Sequence, residues 1–514
     1  MVEQMVTKGY NPQKVLAYFE ELCKIPHGSG NEEEVAKYIE NFARERELFV
    51  IRDKNNNVFI RKEATVGYEN APAYLLQGHT DMVCAKETSS AHDFERDALD
   101  LYMENGWLRA RGTTLGGDDG IAVAFMLALL DGEIEEHPTL ECLFTTEEET
   151  GLGGAESFDY SVVTAKRMIN LDSESEGEVC AGCAGGVRSK ISFTPTLQKS
   201  SGDIITLSVD GLFGGHSGVE INCGRANAII MAANILFEIS NEQELDLVSL
   251  VGGEKDNAIP RMCEAKFVVE DSEKAVALIE ELDSKIREGL CEADAGLKIS
   301  VCVENDVEDV DTLVEGAKLI EMLENIKVGV LSMSAHLEGL VEFSRNLGVI
   351  EVNGESAYIT YSSRSAKEEQ IELSIAQVNE QVEALGASVR HTGRYPGWDF
   401  IPESELRDTY VKKFKEIMGK DVQTVVIHAG LECGIIKSRI PDMDIISVGP
   451  NMRNIHTPDE ALQLESCERL FTVLKAVLGD KKKKKRAARL ERNSVSFWEL
   501  FLCAYFVKEK VDKR

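Results

Sequence analysis

The first third of the chain alternates apolar segments with amphipathic ones. PQKVLAYFEELCKI (12–25) and NEEEVAKYIENFARER (31–46) repeat apolar residues at three- and four-residue spacing, which predicts two amphipathic helices. Ser29 and Glu32 have the spacing of a capping box, so we expect this box to open the second helix. GIAVAFMLALLDG (120–132) is almost wholly apolar, which predicts a helix packed between other elements.

Three buried strands are predicted in the same region, and each ends in a polar residue. They are AYLLQGH (73–79), TLECLFTT (139–146) and KRMINLD (166–172). Strands that alternate with helices indicate an α/β fold with a mostly parallel sheet. Ligands of such sheets bind at the carboxyl ends of the strands, which is where these polar residues lie.

From about residue 187 the pattern changes to alternating, half-exposed strands such as KISFTPTL (190–197) and DIITLSVDGL (203–212). Helices and strands of this kind continue to about residue 400, after which VQTVVIHAG (422–430) and DIISVGP (444–450) resemble the first part again. A domain inserted into another explains this order. The predicted segments are 1–186 and 401–480 for the first domain, 187–400 for an inserted α/β domain, and 481–514 for a tail.

The tail differs from the rest of the chain in charge. Residues 481–514 contain 12 Lys and Arg against 4 Asp and Glu, and the basic run is followed by SVSFWELFLCAYFV. One interpretation is a segment that lies on an anionic membrane surface. The simpler interpretation, which we favour, is an appended tail outside the core fold and without a role in the main activity.

Composition excludes some classes of function. The net charge of −33 argues against nucleic-acid binding, which needs clustered Lys and Arg. We find no apolar stretch long enough to cross a membrane, and acidic residues stand where a signal peptide would be apolar. The 12 cysteines are scattered, and the close pair Cys180 and Cys183 has no second pair to complete a zinc site. We therefore expect a cytoplasmic protein with reduced thiols.

His79 and Asp81 supply the first hint of chemistry. Residues two apart on a strand point to the same side, so both face one side at a carboxyl end. A metal-binding imidazole commonly has its second nitrogen held by a carboxylate. Taken alone, the pair is more often a surface ion pair than part of a metal site.

Four further stretches add carboxylates and an imidazole at other strand ends. Each has an ordinary alternative, such as N-capping, a solvated loop or a surface histidine. Taken together they favour a metal site, because mixed histidine and carboxylate ligation suits zinc, cobalt or manganese. The residues are Asp118 and Asp119 in TTLGGDDG, Glu147, Glu148 and Glu149 in TTEEET, Asp172 in NLDSE, and His456 in IHTPDE.

An ordered set of motifs carries a resemblance to a known family. These are GHTDMV, TTLGGDDGIA, TTEEETGLGGA, NLDSESEG, GLFGGHSGVEINCGRANA, HAGLECG and IHTPDE. The set resembles the aminoacyl-histidine dipeptidases, also called Xaa-His or beta-alanyl-histidine dipeptidases, which are related to peptidase T and to di-zinc exopeptidases. The match covers about residues 10–480. It implies a catalytic domain with a mostly parallel central sheet and an inserted α/β lid domain.

The resemblance implies a site for two divalent metal ions, zinc first and cobalt or manganese as alternatives. The implied ligands are His79 and Asp172 on one ion, Glu149 and His456 on the other, and Asp118 bridging both. Asp81 would orient His79, and the peptide bond before Asp119 would be cis. Glu148 would be the general base towards a water molecule held between the ions, which becomes the attacking hydroxide.

The inserted domain is implied to contribute to substrate binding. His216 lies in the glycine-flanked turn GGHSG, where it would polarise the substrate carbonyl either in its own subunit or in a partner. An ordinary turn is the alternative. The resemblance places four more residues near the substrate: Arg364, Asn257, His428 and Glu432. Arg364 suits a terminal carboxylate, since a guanidinium can pair with both oxygens.

The leading functional hypothesis is a cytosolic metallopeptidase that hydrolyses unblocked dipeptides, including Xaa-His and beta-Ala-His. A related amide hydrolase acting on tripeptides or acylated amino acids is the second hypothesis, and a noncatalytic binding protein is the third. The partners expected are small peptides, and a homodimer formed through the lid is one arrangement that the fold allows.

Overall fold

The structure is a computed structural model that describes residues 5–335, 337 and 339–480. The tail 481–514 lies outside the described residues, so its role stays a prediction. No helix in the described part of the chain is both long enough and apolar enough to cross a membrane.

The part of the chain before residue 184 contributes four helices and eight strands. They are α1 (Gln13–Leu22), α2 (Glu33–Glu45), β1 (Phe49–Arg52), β2 (Val58–Lys62), β3 (Tyr74–His79), β4 (Leu101–Glu104), β5 (Trp107–Ala110), α3 (Gly117–Leu130), β6 (Leu140–Thr145), α4 (Gly153–Ser157), β7 (Arg167–Asn170) and β8 (Glu178–Cys183). All residues of α3 are buried, and its Phe125 ring stacks on Phe471 with 5.6 Å between the ring centroids. The prediction of a helix packed between other elements is confirmed.

The middle of the chain alternates long strands with amphipathic helices. Its elements are β9 (Gly185–Phe193), β10 (Leu197–Asp210), β11 (Gly215–His216), α5 (Ala228–Glu242), β12 (Leu245–Gly252), β13 (Ala258–Ile259), β14 (Cys263–Val269), α6 (Ser272–Glu288), β15 (Lys298–Leu313), α7 (Gly316–Asn325), β16 (Gly329–Met333), β17 (Val341–Val352), β18 (Ala357–Ser365), α8 (Glu368–Leu385) and β19 (Ser388–Tyr395). Asn227 caps α5 by accepting hydrogen bonds from the amides of Ile229 and Ile230.

The last part returns to shorter strands. Its elements are α9 (Glu405–Met418), β20 (Gln423–Ile427), α10 (Glu432–Arg439), β21 (Asp444–Ser447), β22 (Met452–Arg453), β23 (Ala461–Gln463) and α11 (Leu464–Leu478). The β20 and β21 strands join the sheet formed by the first part of the chain. The last strand pair, β22 and β23, extends the small sheet of β4 and β5.

The central sheet has eight strands in the order β1-β2-β6-β3-β7-β21-β8-β20. Four of its seven neighbouring pairs are parallel, including β6 with β3 and β3 with β7. Strands β1 and β2 form an antiparallel edge. The prediction of a mostly parallel α/β sheet is confirmed, and the carboxyl ends of β6, β3 and β7 meet along one sheet edge.

A second sheet is formed only by strands between residues 185 and 395, in the order β15-β10-β14-β12-β17-β18-β9-β19 with β16 beside β17. Helices α5 to α8 and this sheet enclose an apolar core that is separate from the one beneath the central sheet. We refer to this unit as the inserted domain. The bounds 1–186, 187–400 and 401–480 stay a prediction.

The prediction that a capping box opens α2 is wrong. The helix begins at Glu33, and the residue at its cap, Glu32, makes no side-chain capping bond. The Ser29 hydroxyl instead donates to Asp81 Oδ2 at 2.8 Å. As a helix cap, Ser29 would accept a neutral backbone amide, whereas here its hydroxyl donates to a buried carboxylate. The hydrogen bond to the charged group is the stronger of the two, so the tertiary contact prevails over the local motif.

Candidate metal centre

Three neighbouring strands of the central sheet bring the first donors together. His79 is the last residue of β3, Asp172 follows β7 by two residues, and the glutamates 147–149 begin two residues after β6. Because β6, β3 and β7 are parallel neighbours, their carboxyl ends place these side chains on the same sheet edge.

The amino end of α3 supplies the carboxylate at the middle of the cluster. Asp118 Oδ1 lies 3.1 Å from His79 Nε2, and Asp118 Oδ2 lies 3.1 Å from His456 Nε2. The backbone at Asp118 is non-helical, with φ −84° and ψ 104°, and the bond between Asp118 and Asp119 is cis. Each carboxylate oxygen of Asp118 therefore faces a different histidine.

The remaining donors complete two groups of three that share Asp118. His79 Nε2 lies 3.8 Å from Asp172 Oδ1, and His456 Nε2 lies 2.9 Å from Glu149 Oε1. Within each group the donor atoms lie within 4.8 Å of one another. His79, Glu148 and Glu149 form a further group by the same measure.

The donor spacings fit divalent cations. Metal–ligand distances near 2.0–2.2 Å place two ligands of a tetrahedral ion about 3.3 Å apart. The spacings of 2.9 to 3.8 Å lie around this value. Glu149 Oε1 is buried and accepts no well-formed hydrogen bond, although His456 Nε2 is 2.9 Å away. An oxygen lone pair with this geometry is suited to a cation between the two side chains.

The charges of the cluster shift the pKa values of its members in opposite directions. Burial opposes the charged form of His79, but its hydrogen bonds with Asp118 and Asp81 hold its pKa well above the usual range. Asp118 and Glu149 raise the pKa of His456 to about 10. Burial raises the pKa of Asp172 well above its usual range. Without metal, protons on the imidazoles therefore neutralise part of the carboxylate charge.

Asp81 connects His79 to the glutamate loop. The His79 Nδ1 lies 3.0 Å from the Asp81 carbonyl oxygen and 3.4 Å from Asp81 Oδ1, which leaves Nε2 to face the cluster. The Asp81 carboxylate also accepts the backbone amides of Glu148 at 3.0 Å and Glu149 at 3.2 Å. A single buried carboxylate thus fixes both an imidazole and the loop that carries two of the glutamates.

Glu148 lies beside the two donor groups that share Asp118 and belongs to neither of them. Burial, together with the negative charges of Glu432 and Glu149, raises its pKa to about 8, although His79 lowers it in part. A bound cation nearby would lower this value again. The carboxylate is therefore placed and tuned to exchange a proton near neutral pH.

Glu432 lies in the protein interior. Its side chain is fully buried, and its carboxylate accepts hydrogen bonds from Gln77 Nε2 at 2.5 Å and Thr145 Oγ1 at 2.7 Å. These two donors belong to β3 and β6, so Glu432 ties the two strands together behind the cluster. The assignment of Glu432 to substrate binding stays a prediction.

The other residues expected near substrate gather around the inserted domain. Half-buried His216 accepts the amides of Gly218 and Val219 through Nδ1, both at 3.2 Å. His428 Nε2 lies 2.7 Å from Ser344 Oγ. Burial and the charge of Arg364 lower the pKa of His216, and they lower that of His428 to about 4.

Arg364 and Asn257 complete this second group. Arg364 Nη1 donates to the Tyr395 hydroxyl at 3.0 Å. The exposed Asn257 accepts the Ser217 amide through its backbone carbonyl at 2.9 Å, next to His216. Within the described ranges, no hydrogen bond or ion pair joins His216, Arg364 or His428 to the metal-type donors. The structure thus brings the predicted residues together as two separate groups.

Sequence reasoning did not single out Glu460. This residue is buried, and its carboxylate accepts backbone amides from the turn that carries Asp118. The available signal was the spacing within IHTPDE, where Glu460 follows the candidate ligand His456 by four positions.

A mostly parallel sheet with two histidine–carboxylate groups at its edge, and a second α/β domain inserted in the chain, is the arrangement of a metal-dependent hydrolase. The sequence matches peptidase family M20/M25/M40 over residues 75–480. The chain belongs to this family. The prediction of a peptide-bond hydrolase with a catalytic and a lid domain is confirmed.

Several relatives resemble the chain over nearly its whole length. The cytosol non-specific dipeptidase of Escherichia coli (strain K12) is 34% identical over 478 residues, which cover 91% of this chain and 97% of the relative. The crystal structure of aminoacylhistidine dipeptidase from Vibrio alginolyticus superposes with a TM-score of 0.86 at 33% identity, covering 93% of this chain and 98% of the other. These two relatives confirm the resemblance found in the sequence.

The aminopeptidase PepT structure from Bacillus cereus is more distant. It has a TM-score of 0.54 at 16% identity and covers 91% of this chain and 98% of its own. At this identity the comparison shows a shared fold alone.

Proposed function

We propose that the protein is a metal-dependent dipeptidase that hydrolyses unblocked dipeptides, including Xaa-His and beta-Ala-His. The observation that carries the proposal is Asp118, whose two oxygens each lie 3.1 Å from a different imidazole, with Glu148 beside them. The names of the relatives from Escherichia coli and Vibrio alginolyticus support dipeptides as the substrate class.

The proposed metal ligands are the two groups that share Asp118. His79 and Asp172 would hold one divalent ion, while Glu149 and His456 would hold the other. Zinc suits this donor set best, and cobalt or manganese are alternatives. When bound, two such ions polarise a peptide carbonyl and make a water molecule more acidic.

Glu148 is the proposed general base. Asp81 fixes its backbone amide at 3.0 Å, so the carboxylate is held at the edge of the donor cluster. In the ionised form it takes a proton from the attacking water, and it then gives this proton to the leaving amine. Its burial and neighbouring negative charges raise its proton affinity, which favours the abstraction of the proton from water.

The lid residues are proposed to hold the substrate. Arg364 would pair with the carboxylate of the dipeptide, and His216 would donate to the scissile carbonyl. His428 and Asn257 lie beside them and would line the same subsite. In the described residues 5–335, 337 and 339–480, these side chains make no direct bond to the donor cluster. Catalysis therefore needs lid closure or a homodimer formed through the lid.

We propose the cytoplasm as the site of action, on the basis of the cytosolic relative from Escherichia coli. Small peptides are the proposed partners. The scattered free cysteines, of which Cys142 and Cys433 are fully buried, suit a reducing compartment.

The test is hydrolysis of a small substrate panel by metal-stripped protein, before and after addition of zinc, cobalt or manganese. The panel contains a free dipeptide, beta-Ala-His, the N-acetylated dipeptide and a tripeptide. We expect activity to return with metal on the free dipeptides. Equal hydrolysis of the N-acetylated substrate, or a preference for the tripeptide, would instead identify a related amide hydrolase.

The companion variant is Glu148→Gln. Loss of a general base lowers kcat by about 10²–10⁴-fold, while metal content measured by atomic emission stays at the parental level. A Glu148→Gln protein as active as the parent would contradict the assigned role.

A further inference from the structure

Glu460 binds the turn that precedes α3 through both of its carboxylate oxygens. Oε2 accepts the amides of Leu115 at 2.8 Å and Gly116 at 3.2 Å. Oε1 accepts those of Gly117 at 2.8 Å and Asp118 at 3.4 Å. The side chain is buried, so four consecutive amides and one carboxylate satisfy each other away from water. This arrangement also places a negative charge at the positive end of the α3 dipole.

The turn is shaped closely around this carboxylate. Gly116 has φ +66°, a conformation that favours glycine. A Cβ at Gly117 would lie 3.2 Å from Glu460 Oε1, and one at Gly116 would lie 2.9 Å from Met82 Sδ. Glycine at 117 therefore lets the backbone approach the carboxylate closely, and glycine at 116 lets the same turn pack against Met82.

The backbone of Glu460 belongs to the segment that carries His456. The Glu460 amide donates to the Thr457 carbonyl at 3.0 Å, which closes the turn directly after the histidine. One residue thus holds the backbone of Asp118 with its side chain and the segment of His456 with its main chain. The two segments are 338 residues apart in sequence.

We propose that Glu460 is a positioning residue that sets the separation of Asp118 and His456, and so the geometry of the carboxylate shared by the two metal sites. This inference rests on the proposed function. Glu460 is not itself a ligand, because both oxygens are occupied by amides. Its removal would let the Asp118 carboxylate rotate or shift, and a misplacement of about 1 Å in catalytic geometry can cost ~10²-fold in rate.

Two substitutions of Glu460 separate the effect of the carboxylate charge from the effect of side-chain length. Glu460→Gln turns one oxygen into an NH₂ group that faces backbone donors, so two of the four hydrogen bonds are lost. Glu460→Asp keeps the carboxylate but withdraws it by one methylene. The matched control is Glu141→Gln, because Glu141 is also fully buried and accepts the amides of Thr164 and Ala165, both at 3.0 Å.

The experiment loads the parent and the three variants with cobalt(II) and records electron paramagnetic resonance, melting temperature, kcat and KM. A carboxylate bridging two cobalt ions couples their spins, so the spectrum reports the geometry of Asp118 independently of turnover. We expect Glu460→Gln to weaken the coupling and to lower kcat by about 10–100-fold with KM nearly unchanged. Glu460→Asp should be intermediate, and Glu141→Gln should lower the melting temperature while the coupling stays parental.

Parental coupling and kcat in Glu460→Gln would overturn the proposal, as would equal spectral changes in Glu460→Gln and Glu141→Gln. If Glu460→Gln does not fold, Glu460→Asp decides, and parental coupling in that variant overturns the proposal. A parent that shows coupled cobalt but hydrolyses no dipeptide would overturn the proposed function alone, because the spectral comparison still decides the role of Glu460.

Discussion

Two pairs of histidines in this molecule lie in opposite electrostatic surroundings. At the edge of the central sheet, carboxylates hold the pKa of His79 above its usual range and raise that of His456 to about 10. Beside the inserted domain, burial and Arg364 lower the pKa of His216, and that of His428 falls to about 4. Carboxylates surround the first pair, whereas the guanidinium of Arg364 lies near the second pair.

The difference teaches how one chain could divide the work on the zwitterionic substrate that we propose. An anionic cluster attracts divalent cations, and its imidazoles bind them once their protons leave. A neutral histidine beside an arginine can instead bind the carbonyl and carboxylate oxygens of a peptide. Under the proposed function, the same residue type would therefore serve metal binding in one region and substrate binding in the other, according to its neighbours.

The largest effect is expected from Asp118→Ala, which removes the carboxylate shared by both metal-type groups. We expect loss of both ions rather than one, because each group falls from three donors to two. Activity should fall to background, and metal content measured by atomic emission should fall below one ion per chain.

The control is Asp172→Ala, which removes a donor from one group only. This variant should keep the ion held by Glu149 and His456. Equal metal loss in the two variants would show that Asp118 is not shared between the sites.

A smaller effect is expected from His216→Ala, which alters only the substrate-binding group. Loss of one donor to the carbonyl oxygen lowers kcat by about 10²–10³-fold, while metal content stays parental. His391→Ala is the matched control, because His391 lies in the same inserted domain and contacts Ser189 Oγ and Asn379 Oδ1, each at 3.0 Å. Reduced metal content in His216→Ala would contradict the division into two regions.

Metal binding should depend on pH because the imidazoles of the cluster are protonated without metal. The raised pKa values of His79 and His456 mean that both protons must leave when ions bind at pH 7. Affinity should rise by up to about 100-fold per pH unit for two released protons, and the share of this gain that comes from His456 should end as pH passes about 10, the pKa of His456.

Calorimetric zinc titrations in two buffers of different ionisation enthalpy measure the released protons. The stability of the metal-free protein should depend on pH in the opposite direction and should fall as the pH rises. A folded-state pKa raised from 6.5 to about 10 gives His456 a stabilising contribution that is complete below pH 6.5 and is lost as pH rises through about 10. Zinc binding without proton release at pH 7 would contradict the electrostatic description of the cluster.

The sequence predicted the central strands and the donors because both depend on local patterns. Apolar runs ending in His79 and Asp172 mark buried strands with polar carboxyl ends, and the motifs place both residues in family positions. Ser29 was misread, Glu460 was missed and the buried contacts of Glu432 were not foreseen, because the partners of these residues are distant in sequence. The Glu432 carboxylate meets Gln77 across 355 positions and Glu460 meets Leu115 across 345, so no local pattern contains either contact.

The smallest effect is expected from Ser29→Ala, which removes one of the hydrogen bonds to the Asp81 carboxylate. Asp81 keeps the amides of Glu148 and Glu149, so its position should be held. Loss of a hydrogen bond to a charged group should lower the free energy of unfolding by about 1.5–3 kcal/mol. We expect a reduction in kcat of less than about 10-fold and unchanged helicity by circular dichroism. Had Ser29 capped α2, its loss would have reduced helicity and spared kcat, so that outcome would restore the capping interpretation and remove Ser29 from the cluster.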